Sequence, residues 1–585
     1  MKRLYNKKEN SLDTEEKCPS GASTPIFGWT PLPQRRKLGF TENKDDETVT
    51  KELQLYPNCD VNVWLRSCEK EIVEPLNGVI KGRIPSWLRG SLIRNGPGSL
   101  KVGDQEFAHL FDSSALLHRY NIKDCKVTYQ CRFLQSEVFK KNRSANRIVL
   151  TEFGTKSVPD PCHTIFQRIA AVFNKDASDN AMISVYPIGD EIYAFTEIPT
   201  IHRINQDTLE TEGKVNINDY VSIVNHTSHP HVLSDGTVYN LGTTIYATGP
   251  HHTIVEFPTN EKSDASTMFK NAKIVATIPA RWPLNPSYMH TFGLTDNFFI
   301  IVEQPLCVSV PGMISAKFNN EPLAGCFRWY HEEFTQLNVL SRKSGGLLYT
   351  FQAEAFFYLH IIHQYELDDY IVIDICMYKD PSMLDCMFIE SMKSMQQNPN
   401  YAKMFRGRPA RFVLPLNPEK MDKELNRNLI KLKNSKAKAY YLPDGEILVK
   451  PERLLDLGCE TPRIHYEHYI GKPYRYFYAI SSDVDAKNPG TIIKVDTVTR
   501  SSKTWCEENC YPSEPIFVPR PNFKNEDDGV VLVSLVWGRT DTNHAGLLIL
   551  DAQSLTEIGR AEFTTPGPVP KCLHGWFCRK DGQCN

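Results

Sequence analysis

One short phrase recurs from residue 189 onward and constrains the fold more than any other feature of the sequence. An acidic or glycine-containing turn precedes a strand-like apolar run in GDEIYAFTE, SDGTVYNLG, TDNFFIIVE, LDDYIVIDI, PDGEILVKP and DDGVVLVSLVWG. Many short strands with a repeated turn phrase in one long chain favour a β-propeller over a β-sandwich. The sequence therefore predicts an all-β propeller, with residues 381–406 as a helical insertion that caps one face.

The composition limits what such a propeller binds. The 585 residues carry a formal net charge of −2, which argues against nucleic acid as a partner because binding it requires a basic face. The 41% of hydrophobic residues suffice for a large core. Residues 1–55 are polar and charged and are predicted to be a poorly ordered or surface-draped extension. Residues 56–585 are predicted to form a single catalytic propeller domain.

No apolar segment marks a secretion signal or a membrane span. The N-terminal MKRLYNKKENSLD is followed by no apolar stretch, and no run approaches the roughly 20 apolar residues that cross a bilayer. These observations predict a cytoplasmic protein with reduced thiols. Contact with an intracellular membrane is then peripheral.

Residues 158–173 are the candidate for such a contact. Ile165, Phe166, Ile169 and Phe173 recur at roughly helical spacing, and Cys162 is a candidate acylation site. An amphipathic helix with this pattern lies in a membrane interface. The periodicity alone favours a short core-packing helix or a loop.

Four histidines stand out among the 17 in the chain. His229, His290 and His360 each precede a polar turn and then an apolar run, and His574 lies near the C-terminus in KCLHGWF. If these units are blades of one propeller, the histidines enter at the same end of a central channel. Histidines delivered in this way are expected to meet at one metal ion.

Three glutamates strengthen the prediction of a metal site. Glu197, Glu460 and Glu514 each lie in an apolar or turn context, and metal-bound histidines usually donate their second ring N–H to a carboxylate or carbonyl. An all-histidine ligand set with open positions favours Fe(II) and O₂ chemistry. A zinc knuckle is the competing interpretation of the C-terminus, although its ligand spacing contains no CxxC pair. Its ligands would be Cys572, His574, Cys578 and Cys584.

Two further interpretations concern the first strands. GRIPSWLRGSLIRNGPG predicts an edge strand followed by a tight turn, because its C-terminal half is rich in Gly and Pro. His109 and His118 are flanked by apolar residues in strand-like segments. Both histidines are predicted to be core groups and not metal ligands.

Several phrases together resemble the carotenoid cleavage oxygenase family. The matching phrases are RNGPG, FDSSALLHRY, TEFGTKSVPDPC, SHPHVLSDGTVYN, SYMHTFGLT, GKPYRYFYAISS, YPSEPIFV and LHGWF, and the resemblance runs from about residue 56 to the C-terminus. It implies a seven-bladed propeller with Fe(II) on its axis and O₂ as co-substrate.

The resemblance also implies roles for individual residues. His229, His290, His360 and His574 match the family's iron ligands, with Glu197, Glu460 and Glu514 as the carboxylates behind them. Thr196 matches a residue at the open side of the iron. Cys162 and the apolar segment after it match a membrane-binding patch, to which residues 310–329 are a candidate second part.

Within the family, the chain is similar to the insect members. This similarity implies central 15,15' cleavage of a carotenoid such as zeaxanthin or β-carotene, with isomerisation of one half to give 11-cis and all-trans aldehydes. Three alternatives stay open: a symmetric β-carotene dioxygenase, an ester-cleaving retinoid isomerohydrolase, and a carotenoid-binding propeller with a vestigial metal site. Retention of all four histidines and three glutamates argues against the last.

Overall fold

Seven sheets of four to six strands follow one another around the molecule. This computed structural model describes residues 54–158, 178–261, 264–421 and 423–579. Within these ranges the sheets are the seven blades of a β-propeller, which confirms the predicted fold class. We number the blades in the order in which the chain enters them, except that the early strand β2 (Val79–Gly82) joins the last blade.

The first three blades are built as follows. Blade 1 contains β1 (Ile72–Asn77), β3 (Gly90–Ser99), β6 (Ser114–Lys123), β7 (Lys126–Phe133) and β38 (Gly575–Arg579). Blade 2 contains β8 (Ser184–Ile188), β9 (Glu191–Phe195), β10 (Thr200–Ile204) and β11 (Thr211–Asn216). Blade 3 contains β12 (Asn225–His226), β13 (His231–Val232), β14 (Val238–Tyr246), β15 (Gly249–Phe257) and β16 (Lys273–Pro279).

The fifth blade includes the longest described strand, β23 (Phe357–Leu367). Blade 4 contains β17 (Gly293–Leu294), β18 (Phe298–Glu303), β21 (Thr335–Ser341), β22 (Leu347–Ala353), β26 (Lys438–Tyr441) and β27 (Ile447–Lys450). Blade 5 contains β23 (Phe357–Leu367), β24 (Tyr370–Tyr378), β25 (Arg408–Pro415) and β28 (Glu452–Arg453).

The last two blades lead back to the start of the chain. Blade 6 contains β29 (Glu460–Arg463), β30 (Tyr476–Ser481), β31 (Thr491–Asp496) and β32 (Ser501–Trp505). Blade 7 contains β2 (Val79–Gly82), β33 (Cys510–Pro512), β34 (Ile516–Pro519), β35 (Gly529–Trp537), β36 (His544–Asp551) and β37 (Glu557–Thr564). Two small ribbons pair β4 (Lys101–Val102) with β5 (Gln105–Glu106), and β19 (Leu306–Val308) with β20 (Phe327–Trp329).

The turn phrase marks the reversal between neighbouring strands of a blade. Asp368 and Asp369 link β23 to β24, and Asp368 adopts a positive φ of 52° that aspartate tolerates better than most residues. The strand that follows such a turn is buried on both faces when it lies inside a blade, as all nine residues of β35 are. Both faces are covered because each blade packs against the next, so the apolar runs are continuous and do not alternate.

Strands from the two ends of the described chain close the ring. β38 pairs antiparallel with β3 in blade 1, so that Arg94 lies opposite Gly575. β2 pairs with β37 in blade 7. The prediction of an edge strand ending in a tight turn is therefore wrong, because β3 continues through RNGPG and lies between β6 and β38. Its glycines permit close packing: a Cβ at Gly98 would lie 2.4 Å from the Cβ of Leu116.

Gly96 provides a test of this closure. We expect Gly96→Ala to lower the free energy of unfolding by about 1–3 kcal/mol. Its added Cβ would lie 2.7 Å from the Cα of Cys572 and 2.8 Å from the backbone nitrogen of Leu573, neither of which is a flexible side-chain atom. Chemical denaturation measures the difference. Gly213→Ala is the control, since nothing lies within 4 Å of its added Cβ; equal destabilisation in both variants would contradict the packing argument.

Short helices connect some of the strands. Within the described ranges they are α1 (Glu137–Ala145), α2 (Ala265–Lys270), α3 (Val310–Asn319), α4 (Ser382–Cys386), α5 (Ile389–Lys393), α6 (Tyr401–Met404) and α7 (Tyr466–Tyr469). Single 3₁₀ turns lie at Val61–Val63, Leu110–Asp112, Ile217–Asp219, Leu323–Cys326, Met395–Gln397 and Pro418–Lys420. The predicted helical insertion is confirmed as α4 to α6, and its Met383 and Leu384 line the central cavity.

The two histidines predicted to be core groups are both buried. His109 Nε2 lies 3.2 Å from the carbonyl oxygen of Leu384, and His109 Nδ1 accepts the N–H of Phe111. His118 Nδ1 lies 2.9 Å from the hydroxyl of Tyr129. Burial lowers the pKa of His109 to about 4 and that of His118 to about 3, so both rings are neutral at physiological pH.

Candidate metal centre

The four predicted histidines come from four different blades. His229 lies between β12 and β13 in blade 3, and His290 lies just before β17 in blade 4. His360 is inside β23 of blade 5, and His574 immediately precedes β38 of blade 1. Each position belongs to an edge of its sheet. The propeller thus brings together side chains that are up to 345 residues apart in sequence, counted as 574 minus 229.

The rings of these histidines converge. The ring centroid of His229 lies 4.7 Å from that of His290, 5.1 Å from that of His360 and 4.5 Å from that of His574. His360 is also 5.1 Å from both His290 and His574. In His229, His360 and His574, one ring nitrogen each lies within 4.8 Å of the other two. This spacing brings several ring nitrogens to one point.

Three of the rings are oriented by the predicted carboxylates. His290 Nδ1 lies 2.6 Å from Glu197 Oε1. His360 Nδ1 lies 2.5 Å from Glu460 Oε2, and His574 Nδ1 lies 2.9 Å from Glu514 Oε1. The N–H of each ring is therefore at Nδ1, and the lone pair of Nε2 is available for a metal.

The four histidines and three glutamates are distributed over all seven blades. The three carboxylates come from the three blades that supply no histidine: Glu197 follows β9 in blade 2, Glu460 begins β29 in blade 6, and Glu514 lies between β33 and β34 in blade 7. Every blade therefore contributes one residue, either a histidine or the glutamate behind one.

His229 is oriented differently from the other three. Its Nδ1 lies 3.4 Å from the hydroxyl of Tyr186, and no carboxylate is among its hydrogen-bond partners in the described ranges. Its Nε2 is buried without a hydrogen-bond partner there, and the same is true of Nε2 of His360. Buried polar atoms without partners are costly. Three convergent imidazole nitrogens, with the ring of His290 beside them, suit iron, copper, nickel or zinc. These residues fit the metal that the sequence predicts.

The electrostatics keep the histidines in the form that binds a metal. Burial lowers the pKa of His574 to about 4 and the pKa of His229 well below its ordinary value. Burial alone would raise the pKa of Glu460, but His360, the N–H of Thr461 and the hydroxyl of Tyr378 outweigh that effect and lower it. His229 and His574 are therefore neutral, and Glu460 is ionised.

Arg463 was missed by the sequence analysis. Its Nε donates to Glu514 Oε1 at 2.8 Å and its Nη2 donates to the carbonyl of Gly575 at 3.2 Å, while its guanidinium carbon lies 5.9 Å from the ring centroid of Tyr186. Burial would raise the pKa of Glu514, but Arg463 and His574 hold it well below its ordinary range. Arg463 thus contacts both Glu514, the partner of His574, and Tyr186, the partner of His229. An arginine in the same short strand as Glu460 was the available signal.

A large cavity leads to the histidines. Its volume is about 1710 Å³, and His290, His360 and His574 lie in its wall. Thr196 also lines the cavity, beside Glu197. Three aromatic rings lie side by side in the cavity wall. The ring centroid of Phe327 lies 5.4 Å from that of Tyr288 and 5.7 Å from that of Phe153. Such a space suits a long apolar ligand with few polar groups.

The described cysteines of the predicted zinc knuckle have other partners than a metal site. Cys572 accepts the Nε–H of Arg94 at 2.9 Å, and Cys578 is buried opposite Ser91 in blade 1. Among the described residues, histidines alone make up the metal-binding cluster, so the zinc knuckle is not supported; Cys584 lies outside those residues. The predicted membrane segment with Cys162, Ile165, Phe166, Ile169 and Phe173 also lies outside them.

Known proteins share the sequence and the fold. The chain is 57% identical to a carotenoid isomerooxygenase of Galleria mellonella, across 91% of this chain and 99% of that protein. It is 37% identical to the human β,β-carotene 15,15'-dioxygenase, across 87% of this chain and 93% of that protein. A solved structure of a variant of the Synechocystis apocarotenoid oxygenase matches the fold with a TM-score of 0.70 at 20% identity, across 89% of this chain and 100% of that one.

The family assignment follows from a match over most of the chain. A Drosophila melanogaster carotenoid isomerooxygenase is 52% identical, across 92% of this chain and 96% of that protein. The family model described as retinal pigment epithelial membrane protein matches residues 65–579. This chain therefore belongs to the carotenoid oxygenase family of the retinal pigment epithelial membrane protein.

Proposed function

We propose that this protein is a carotenoid isomerooxygenase. It cleaves the central 15,15' double bond of a carotenoid with O₂ and isomerises one half, giving an 11-cis and an all-trans aldehyde. The proposal rests on one observation: a large apolar-lined cavity reaches four histidines whose rings converge. The insect relatives, named carotenoid isomerooxygenases and 52% and 57% identical, support the isomerising activity.

We propose that His229, His290, His360 and His574 hold Fe(II), which supplies the activation of O₂ when bound. The protein itself positions the substrate and the four imidazoles. Glu197, Glu460 and Glu514 fix three rings through Nδ1. Thr196, which lines the cavity beside Glu197, borders the side from which substrate approaches.

The cavity wall orients the polyene. Tyr288 is held by its hydroxyl, which donates to Glu197 Oε1 at 2.7 Å, so its ring is fixed relative to His290. Tyr378 is fixed in the same way, donating to Glu460 Oε1 at 2.9 Å. A rigid aromatic wall beside the histidines excludes water and restricts the rotation of the bound polyene, as a defined cis or trans product requires.

A symmetric dioxygenase is the second candidate function. The 37% identity with the human β,β-carotene 15,15'-dioxygenase favours it. The two candidates differ in the geometry of one product only. Metal analysis under anaerobic handling, followed by product chromatography with zeaxanthin in detergent, separates them.

The product pattern decides between the functions. One iron per chain with one 11-cis and one all-trans aldehyde is the expected result. All-trans aldehydes alone would identify a symmetric dioxygenase. Iron without carotenoid cleavage would reject both and direct the assay to retinyl esters, and absence of iron would favour a carotenoid-binding protein.

We further propose that the cavity opens onto a membrane surface. Several apolar side chains in its wall are exposed, including Ile314 (56%) and Phe318 (61%) on α3 and Ile245 (57%) on β14. Among the described residues no helix combines the length and apolar character that crossing a bilayer requires. Peripheral contact at this rim, with the segment around Cys162 as a second contact, would let a carotenoid pass from lipid into the cavity.

The rim provides a direct test of membrane contact. We expect the double variant Ile314→Asp, Phe318→Asp to reduce binding to phosphatidylcholine vesicles at least about tenfold. It removes two apolar side chains that would insert into the membrane interface. Vesicle sedimentation measures the change. Leu347→Asp is the control, because Leu347 is 49% exposed but does not line the cavity. Equal losses in both variants would contradict a contact at this rim.

The domain boundaries are also a proposal. We assign residues 56–585 to one catalytic propeller domain and residues 1–55 to an extension. Contacts at the start of this domain support the boundary, since the backbone N–H of Tyr56 donates to Gln396 Oε1 at 2.8 Å and the hydroxyl of Tyr56 donates to the carbonyl of Asn398.

A further inference from the structure

Lys571 is a cation in the wall of the cavity that the proposed chemistry does not use. It precedes the histidine of blade 1 by three residues, and it lines the cavity together with Trp64 and Tyr511. In the described part of the chain no ion pair joins its ammonium group to a carboxylate. Its nearest polar contact is Ser513 Oγ at 3.4 Å, and the ring centroid of Trp64 lies 6.0 Å away.

Such an amine has unmet hydrogen-bonding capacity. A lysine ammonium offers three donors, and the single long contact with Ser513 uses one of them. Burial lowers the pKa of Lys571 to about 8, which reflects the loss of water around it. A pure hydrocarbon filling the cavity would remove the remaining water and supply no acceptor, which is unfavourable for a polar group. A ligand that carries an oxygen atom at this position would supply one.

The unpaired donor of Lys571 restricts which part of a carotenoid can lie beside it. The only oxygen atoms of a carotenoid such as zeaxanthin are the hydroxyls of its terminal rings, so an acceptor at Lys571 brings a ring with it. The edge-to-face rings of Trp64 and Tyr511, 5.4 Å apart, form an aromatic wall. The hydroxyl of Tyr511 is engaged with the backbone of Asp60 and Asn58, so the ring is what this residue offers to a ligand.

We propose that Lys571, held by Ser513, donates a hydrogen bond to a hydroxyl oxygen on the terminal ring of the substrate. The cavity then selects carotenoids with hydroxylated rings over hydrocarbon carotenes. This inference rests on the proposed carotenoid cleavage, because a cut at the central bond places both rings away from the histidines. A site built to hydrogen-bond a hydroxyl discriminates strongly against an analogue that lacks it.

The test compares zeaxanthin with β-carotene, which differ in their ring hydroxyls. We expect Lys571→Met, which keeps the length of the side chain and removes its donors, to lower the zeaxanthin to β-carotene ratio of kcat/KM about tenfold or more, chiefly through KM for zeaxanthin. Lys571→Arg keeps a donor and should restore part of the ratio. An unchanged ratio, or an equal loss for both substrates, would overturn the proposal.

A second measurement separates this inference from the proposed function. Quenching of tryptophan fluorescence under argon gives Kd for each carotenoid with the iron-loaded protein and without turnover. A preference for zeaxanthin that Lys571→Met removes would support the anchor even if no cleavage occurred, whereas absence of cleavage would reject only the proposed function. If Lys571→Met does not fold, Ser513→Ala should weaken the same preference; an unchanged preference in that variant would overturn the proposal.

Discussion

The His290→Ala variant is expected to lose its iron and all measurable carotenoid cleavage while it keeps its propeller fold. His290 is held by Glu197 through a 2.6 Å contact at Nδ1, and its ring lies within about 5 Å of the rings of His229 and His360. Removing it deletes one of the four proposed ligands and leaves a gap in the wall of the cavity. Iron content per chain and product chromatography measure the two losses.

His231→Gln is the matched control for that variant. His231 is two residues from a proposed ligand, but its ring nitrogens already contact the hydroxyl of Tyr466 at 2.8 Å and the carbonyl of Phe292 at 2.9 Å. This variant should therefore retain iron even if its stability falls. One iron per chain with normal product formation in His290→Ala would remove His290 from the ligand set.

Two glutamates with the same role should respond differently to loss of their charge. Glu514→Gln and Glu460→Gln are both expected to weaken iron retention by about 10–100-fold, since each residue orients a histidine. Glu514→Gln should in addition lower the free energy of unfolding by about 3 kcal/mol. It leaves the buried guanidinium of Arg463 without its carboxylate. Glu460 has no cation among its partners in the described ranges; Tyr378 and Thr461 donate to it instead.

Iron dissociation rates and chemical denaturation of both metal-free variants test this difference. The unmodified metal-free protein is the reference, because bound metal itself stabilises the fold. Equal unfolding free energies for the two variants would contradict the contribution assigned to the ion pair between Arg463 and Glu514. Unchanged iron retention in either variant would contradict the orienting role of that glutamate.

The sequence predicted the fold class because the propeller repeats one local feature, the turn between two strands of a blade. Each blade reverses direction at a turn, and acidic residues and glycine favour the dihedral angles of such turns, so the phrase is visible without any long-range information. The edge-strand prediction at RNGPG failed for the opposite reason. There Gly96 serves a close approach to Cys572, 476 residues later (572 minus 96), and Gly98 packs against Leu116 of the neighbouring strand. No local pattern distinguishes these uses from a turn.

The site could be predicted in part. His229, His290 and His360 share the turn phrase, and the three glutamates lie in apolar or turn contexts, so residues alone indicated them. The role of Thr196 was implied by resemblance. Tyr186 and Arg463 were missed because their meaning depends on neighbours in space: Tyr186 comes from β8, and Arg463 from β29, more than 270 residues later. Tyr186 does not differ locally from an ordinary strand residue, and the only local sign for Arg463 was its place in the strand of Glu460. The role of Lys571 likewise becomes apparent only when the cavity is known.

The position of His574 has a consequence for how the protein matures. Six of the seven residues that surround the proposed iron are synthesised before residue 515, but the seventh precedes the strand that completes the first blade. A growing chain on the ribosome therefore cannot present the full set of four imidazoles until residue 574 has emerged. Loading of iron is in this way reserved for chains whose ring has closed, and an interrupted translation product would not acquire a complete oxygen-activating site.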